Sequence, residues 1–127
     1  MKLRKLLPLI VGLLVSATLF AVSVGDGLWL TRVPEKDRSR QNPFANESVA
    51  VAAGAKLFHQ NCSSCHGNDA QGLNNRPNLH SQRISAATPG ELAWLLKNGS
   101  MRNGMPSWSR LPEQQRWQIV SYLKSLQ

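Results

Sequence analysis

The stretch Cys62-Ser63-Ser64-Cys65-His66 decides what kind of site this chain can build. It places two thiols on one side of a helical turn, with an imidazole directly after the second thiol. This spacing is typical of covalent c-type haem attachment, in which the thiols add to the two vinyl groups of the porphyrin and the imidazole faces the iron. The sequence therefore predicts that Cys62 and Cys65 attach a haem and that His66 binds its iron.

Other uses of a Cys-x-x-Cys pair are a redox dithiol, half of a zinc site and a disulfide-like clip. A redox dithiol would be expected between a strand and a helix, and a zinc site needs a second close pair of ligands. The chain has two cysteines and three histidines, of which His59 and His80 stand apart from the pair. These observations favour haem attachment.

A sixth iron ligand is predicted in the segment Asn103-Gly104-Met105-Pro106. A thioether favours the reduced iron, and a His/Met pair is typical of electron-transfer centres with a raised potential. Gly104 allows the backbone to approach the porphyrin, and Pro106 stiffens the chain after the ligand. Met101 is the alternative ligand, but Met105 is favoured because it alone has the flanking glycine and proline.

Residues 47–127 resemble the small, single-haem bacterial proteins of the class I cytochrome c family. The resemblance implies an all-α fold of about four helices around one covalent haem c, preceded here by an N-terminal hydrophobic helix. It is carried by four motifs in the order and separation of the family: Gly54-x-x-x-Phe58-x-x-x-Cys62 leading into Cys-x-x-Cys-His-Gly, Arg76-Pro77-Asn78-Leu79, Gly104-Met105-Pro106-Ser107-Trp108, and Trp117-Gln118-Ile119-Val120-Ser121-Tyr122-Leu123.

The resemblance also assigns residues around the haem. Pro77 corresponds to the proline whose carbonyl accepts the Nδ1 hydrogen of the haem histidine, a bond that fixes the ring and strengthens its donation to iron. Arg76 and Arg83 are candidates to reach a propionate, and Trp108 either donates its indole N–H to a propionate or simply packs. His80 is expected to be a loop histidine rather than a ligand.

The implied function is a one-electron carrier in a respiratory chain, between a membrane or periplasmic dehydrogenase and an oxidase or other acceptor. The motifs assemble no general acid, base or nucleophile beside a substrate pocket, so the protein is predicted not to be an enzyme. The alternatives are a haem-bearing, electron-accepting subunit of a dehydrogenase complex and a haem-based sensor of a gas or small molecule. The formal net charge of +8 does not indicate nucleic-acid binding, because residues 47–127 contain no cluster of basic and aromatic residues.

The N-terminus is basic, and residues 6–24 form an uncharged apolar stretch. Together they predict an export signal that remains as a membrane anchor over residues 1–30, with Trp29 at the membrane interface. The haem domain would then lie on the periplasmic side of the inner membrane. Cleavage at Ala21-Val22-Ser23, which would release a soluble periplasmic protein, is the alternative. Residues 31–46 are polar and charge-alternating, so they are predicted to be a flexible tether.

Helices are predicted within the haem domain over residues 48–60, 88–98 and from residue 111 to near the end. Ser48 is the predicted N-cap of the first, with Val51, Ala55 and Phe58 as its buried stripe. Thr88-Pro89-Gly90-Glu91 reads as a capping box with proline at the first helical position. Residues 68–84 show no helical or strand-like periodicity of apolar residues and are predicted to be a loop that packs against the haem.

Overall fold

The computed structural model describes residues 25–127, and side chains from residue 27 onward. Over this range the chain is helical and forms no strand, which confirms the predicted all-α class. The α-helices are α1 (Glu35–Arg38), α2 (Ser48–Asn61), α3 (Ser63–His66), α4 (Gln82–Ala86), α5 (Pro89–Asn98) and α6 (Glu113–Ser125), with 3-10 helices at Gly25–Arg32 and Met101–Asn103.

The central contact of the fold is the crossing of α2 and α6. Phe58 on α2 is completely buried, and its ring centroid lies 5.3 Å from that of Tyr122 on α6. Gly54 lies at the crossing, where an added Cβ would be 2.6 Å from the backbone carbonyl carbon of Gln118. The absence of a side chain at Gly54 therefore allows the close approach of α6.

The buried stripe of α2 differs in register from the prediction. Ala50, Gly54 and Phe58 are buried, whereas Val51 and Ala55 are only half-buried. A glycine carries no apolar side chain, so it is invisible to a hydrophobic pattern, and the pattern therefore selected the neighbouring positions. The helix also begins at Ser48 with Glu47 as its N-cap, in place of the predicted Ser48 cap.

Helix α5 begins as the sequence predicts. The Thr88 hydroxyl accepts a hydrogen bond from the Glu91 N–H at 3.1 Å, and the Glu91 carboxylate accepts one from the Thr88 N–H at 2.7 Å. This reciprocal pair satisfies two backbone donors that would otherwise lack partners at the helix start. The helix ends at Asn98, before Gly99 with φ 71°.

The end of the predicted loop over residues 68–84 is helical. Helix α4 starts after Ser81, whose hydroxyl accepts from the Ile84 N–H at 3.5 Å, and Ile84 is buried. Lys124 of α6 donates to carbonyl oxygens at the end of α4, including that of Ser85 at 2.7 Å. Carbonyls at a helix C-terminus favour a cation, so this five-residue helix is stabilised from a neighbouring element.

Residues 31–46 pack against α5 and α6, which differs from the predicted flexible tether. Arg38 forms an ion pair with the buried carboxylate of Glu91, and the Asn42 amide donates to the Ser121 hydroxyl at 2.8 Å. Trp29, predicted at a membrane interface, is 4% exposed and belongs to the protein core. The segment is ordered because its polar side chains find partners on α5 and α6, which its own composition cannot reveal.

Of the predicted anchor, residues 1–30, the first 24 lie outside the described residues, whereas residues 25–30 belong to the first 3-10 helix. Within residues 25–127, no helix is both long enough and apolar enough to cross a membrane.

Candidate haem site

The cysteine motif is positioned by the end of α2 and the single turn of α3. The Cys62 N–H donates to the Phe58 carbonyl at 2.7 Å, and the His66 N–H donates to the Cys62 carbonyl at 2.9 Å. Cys62 therefore ends one helix and starts the next, and Gly67 with φ 81° turns the chain away. Both sulfurs and the His66 ring line one cavity.

The imidazole of His66 is fixed by the loop that follows it. Its Nδ1 lies 3.1 Å from the carbonyl oxygen of Pro77, so the proton on Nδ1 is donated to that oxygen and Nε2 is left as the ligand atom. The loop folds back tightly, because an added Cβ at Gly72 would lie 3.1 Å from the Pro77 carbonyl carbon. The Gly72 N–H donates to the His66 carbonyl at 2.7 Å and holds the two segments together.

The structure places Met105 at the cavity and Met101 away from it. Met105 pairs with Ser100 in both directions, with N–H to carbonyl distances of 2.8 and 3.1 Å. Gly104 has φ 75°, a conformation that glycine adopts at low cost. Met101 is 71% exposed and does not line the cavity. The two predicted candidates for the sixth ligand are thus separated by geometry.

The cavity has a volume of about 530 Å³, within the range of cofactor sites. Its walls are mainly apolar, and among residues 25–127 no aspartate or glutamate lines it. An imidazole and a thioether on a hydrophobic cavity suit a haem iron. The apolar wall consists largely of Phe58, Leu79, Ile84, Leu92, Leu95, Leu96, Ile119 and Leu123, together with Trp29 and Trp108.

The alternative uses of the cysteine pair are not supported by its surroundings. Burial, and secondarily the charge of Cys65, raises the pKa of the Cys62 thiol to about 11, whereas redox-active cysteines have a lowered pKa. No group of three or more His, Cys, Asp or Glu side chains in the described part of the chain could hold a metal ion. A zinc site of protein ligands therefore has no ligand set here.

The remaining predicted site residues also line the cavity. Arg76 lines the cavity, and its Nη1 donates to the Asn103 carbonyl at 3.1 Å. This hydrogen bond links the loop that contains Pro77 to the loop that contains Met105. Arg83 and Trp108 also line the cavity, and the Trp108 ring lies 4.2 Å below the guanidinium of Arg110.

His80 does not line the cavity, as expected for a loop histidine. Its Nδ1 lies 3.2 Å from the Leu126 carbonyl oxygen and its Nε2 lies 2.7 Å from the Asp69 carbonyl oxygen. The ring nitrogen that carries the proton donates to one of these carbonyl oxygens, and the ring lies between the loop that follows His66 and the end of α6.

Trp29 is a cavity residue that sequence reasoning placed elsewhere. Trp29 stands 33 positions before Cys62, in a stretch whose apolar character continues from the predicted anchor. The available signal was the tryptophan itself. A large aromatic side chain suits a protein core as well as a membrane interface, and the sequence does not distinguish the two positions.

Comparison with known proteins matches residues 49–123 to the family described as cytochrome c oxidase, cbb3-type, subunit III. Cytochrome c550 of Pseudomonas aeruginosa is 32% identical over 90 residues, which cover 68% of this chain and 62% of that protein. The cbb3-type cytochrome c oxidase subunit CcoP of Rhodobacter capsulatus is 37% identical over 92 residues, covering 63% of this chain and 30% of CcoP. The chain thus spans about three fifths of the length of the first relative and less than a third of the second.

A similar fold occurs in the crystal structure of cytochrome CL from Methylophaga aminisulfidivorans. The TM-score is 0.59 and the identity 26%, with 67% of this chain and 58% of that chain covered.

The fold and the cavity define a class I, single-haem cytochrome c. The chain belongs to the cytochrome c family described as cytochrome c oxidase, cbb3-type, subunit III. Membership implies a covalently bound haem c, and the two cysteines account for one such group.

Proposed function

We propose that this protein is a one-electron carrier whose haem is attached through Cys62 and Cys65 and ligated by His66 and Met105. The observation that carries the proposal is the placement of the His66 imidazole and the Met105 thioether on one apolar cavity. When bound there, the haem supplies the reversible one-electron chemistry of its iron. No catalytic residue is part of this proposal.

The residues around the cavity support electron transfer by holding a fixed geometry. The Pro77 carbonyl orients His66, and the paired backbone of Ser100 and Met105 holds the sulfur in place. Ligands that are already in position need little rearrangement when the oxidation state changes. We propose in addition that Arg76, Arg83 and Trp108, which all line the cavity, face the propionates, where positive charge and hydrogen-bond donors would offset their negative charge.

The direct test is the absorption spectrum and redox titration of the purified holoprotein. A far-red sulfur-to-iron band in the oxidised form, together with a titration curve for a single electron, is the expected result. A reduced protein that rapidly binds carbon monoxide at the iron would contradict it, since an open sixth position is the property of a sensor.

A second candidate function is a haem-bearing subunit within a larger redox complex. It is favoured by the relative CcoP, which is named as a subunit of a cbb3-type oxidase, and by the description of the matched family. Native gel electrophoresis of a mild detergent extract, stained for haem, separates the two candidates. A free carrier migrates at the size of one chain, whereas a subunit comigrates with a catalytic chain.

Under this proposal the electron donor is a membrane or periplasmic dehydrogenase and the electron acceptor is an oxidase or another terminal protein.

We also propose that residues 6–24 anchor the protein to the inner membrane, with the haem domain on the periplasmic side. The apolar stretch supports the anchor, and the family resemblance implies haem attachment outside the cytoplasm. The protein should resist a high-salt wash of membranes and be released by detergent. A holoprotein found in the soluble periplasmic fraction, with a measured mass that corresponds to a chain starting near Val24, would show that the stretch is removed.

A further inference from the structure

Residues 27–46, here called the N-terminal strap, lie before the part of the chain that matches the cytochrome c family, residues 49–123. The strap comprises most of the first 3-10 helix, α1 and the segment that leads to α2. It follows the outside of α5 and α6 and reaches the haem cavity at one end. Its contacts show that it is a fixed part of the domain.

The middle of the strap is attached to the start of α5. Arg38 pairs with the buried Glu91 carboxylate and donates to the Leu30 carbonyl at 3.1 Å, within the strap itself. The Thr88 hydroxyl donates to the Arg38 carbonyl at 2.9 Å. An added Cβ at Gly90 would lie 3.0 Å from the Arg38 carbonyl oxygen, so the two backbones are in direct contact.

The later part of the strap is attached to α6. The Asn42 side chain donates to the Trp117 carbonyl at 3.3 Å and to the Ser121 hydroxyl at 2.8 Å. The Ser121 hydroxyl in turn lies 3.2 Å from the carbonyl oxygen of Phe44. Two separate sets of hydrogen bonds, one on each helix, therefore fix the course of the strap.

At its beginning the strap forms a wall of the haem cavity. Trp29 is 4% exposed and lines the cavity together with Ile84 and Leu92. Close by, an added Cβ at Gly27 would lie 3.2 Å from Nε of Arg83, another residue of the cavity. An indole from outside the family-matched region thus forms part of the cavity wall.

We propose that the N-terminal strap is a built-in part of the haem pocket, in which the Trp29 indole contacts the porphyrin and raises the reduction potential by excluding water. An apolar shell around a metal centre lowers the local dielectric constant and thereby shifts its potential. Oxidation adds a positive charge to the iron, and water stabilises that charge better than an indole does. Removal of the Trp29 ring should therefore favour the oxidised state.

The first test uses the unaltered, full-length holoprotein. In the reduced, diamagnetic state, a nuclear Overhauser cross-peak between the Trp29 indole protons and haem substituent protons is expected. Trp94 is the internal control, because it is half-buried on α5, lies under Arg32 of the strap and does not line the cavity. Cross-peaks from Trp94, or none from Trp29, would overturn the placement.

The second test compares the midpoint potentials of the Trp29→Ala and Trp94→Ala holoproteins. Trp29→Ala should lower the potential, Trp29→Phe should restore most of the loss, and Trp94→Ala should leave it unchanged. Equal potentials in the two alanine variants would refute the role of Trp29, as would an unchanged potential in Trp29→Ala. If Trp29→Ala cannot be purified, the same comparison is made with Trp29→Leu, which should also lower the potential.

Neither test depends on which proteins exchange electrons with the haem. A failure of the strap proposal would leave the sulfur-to-iron band and the one-electron titration intact, and so can be told apart from a failure of the carrier proposal.

Discussion

Replacing Gly54 by alanine tests the helix crossing, because two physical effects predict opposite signs. Alanine has a higher helix propensity than glycine, which would stabilise α2 by about 1 kcal/mol if the position were open. At the crossing, however, the new methyl would lie 2.6 Å from the Gln118 carbonyl carbon and 3.0 Å from Cβ of Tyr122, where ordinary contact begins at 3.4 Å. One of the obstacles is backbone, so the helices must separate.

The size of the effect follows from that separation. The helices would have to part by at least about 0.8 Å, because the Gln118 carbonyl carbon is at 2.6 Å and its oxygen is closer still. Gaps of roughly 0.5–1 Å already forfeit a quarter to a half of the dispersion energy of the facing atoms. Overpacking of this kind costs about 1–3 kcal/mol, occasionally more. We expect the upper end of that range, and a net destabilisation of about 2 kcal/mol after the propensity gain. The melting temperature should fall by roughly 10 °C.

Thermal and denaturant unfolding of the holoprotein, followed by circular dichroism, measures this change. Ala52→Gly on the exposed face of the same helix is the control, and should cost about 1 kcal/mol through propensity alone. A Gly54→Ala variant as stable as the parent, or more stable, would refute the close crossing.

Three further predictions concern the haem and the surface. Met105→Ala should keep the haem attached but abolish the sulfur-to-iron band and lower the potential, whereas Met101→Ala should leave the absorption spectrum unchanged. Cys65→Ala should prevent normal haem retention and leave a poorly folded chain, which a pyridine haemochrome assay and a loss of cooperative melting would show. The Arg40 guanidinium holds the pKa of Glu113 below its ordinary value, so their small stabilising contribution is present above the unfolded pKa and lost as the pH falls through the folded pKa. Arg40→Gln should therefore raise the Glu113 pKa in an NMR titration and lower the melting temperature slightly near neutral pH, with the difference vanishing in acid.

The cofactor site was predictable because covalent attachment and iron ligation fix short, local motifs. Cys62, Cys65 and His66 follow one another within one turn, and the Gly-Met-Pro segment marks Met105. The structure places these residues on one cavity. The capping box of α5 was predictable for the same reason, since all its groups lie within four positions.

The strap could not be predicted in this way. Its contacts join residues far apart in the chain, 53 positions for Arg38 and Glu91 and 79 for Asn42 and Ser121. A polar segment whose partners lie on other helices has the same composition as a solvated linker. The missing information was which distant groups face it, and this depends on the finished packing of α5 and α6.

The hydrogen bond between Asn42 and Ser121 has a consequence for the order of assembly. A chain is synthesised from its N-terminus, so residue 42 emerges long before residue 121. The strap cannot complete its docking until α6 is present. Late docking would leave the Trp29 side of the cavity as an entrance through which a porphyrin reaches the two thiols before the strap covers it.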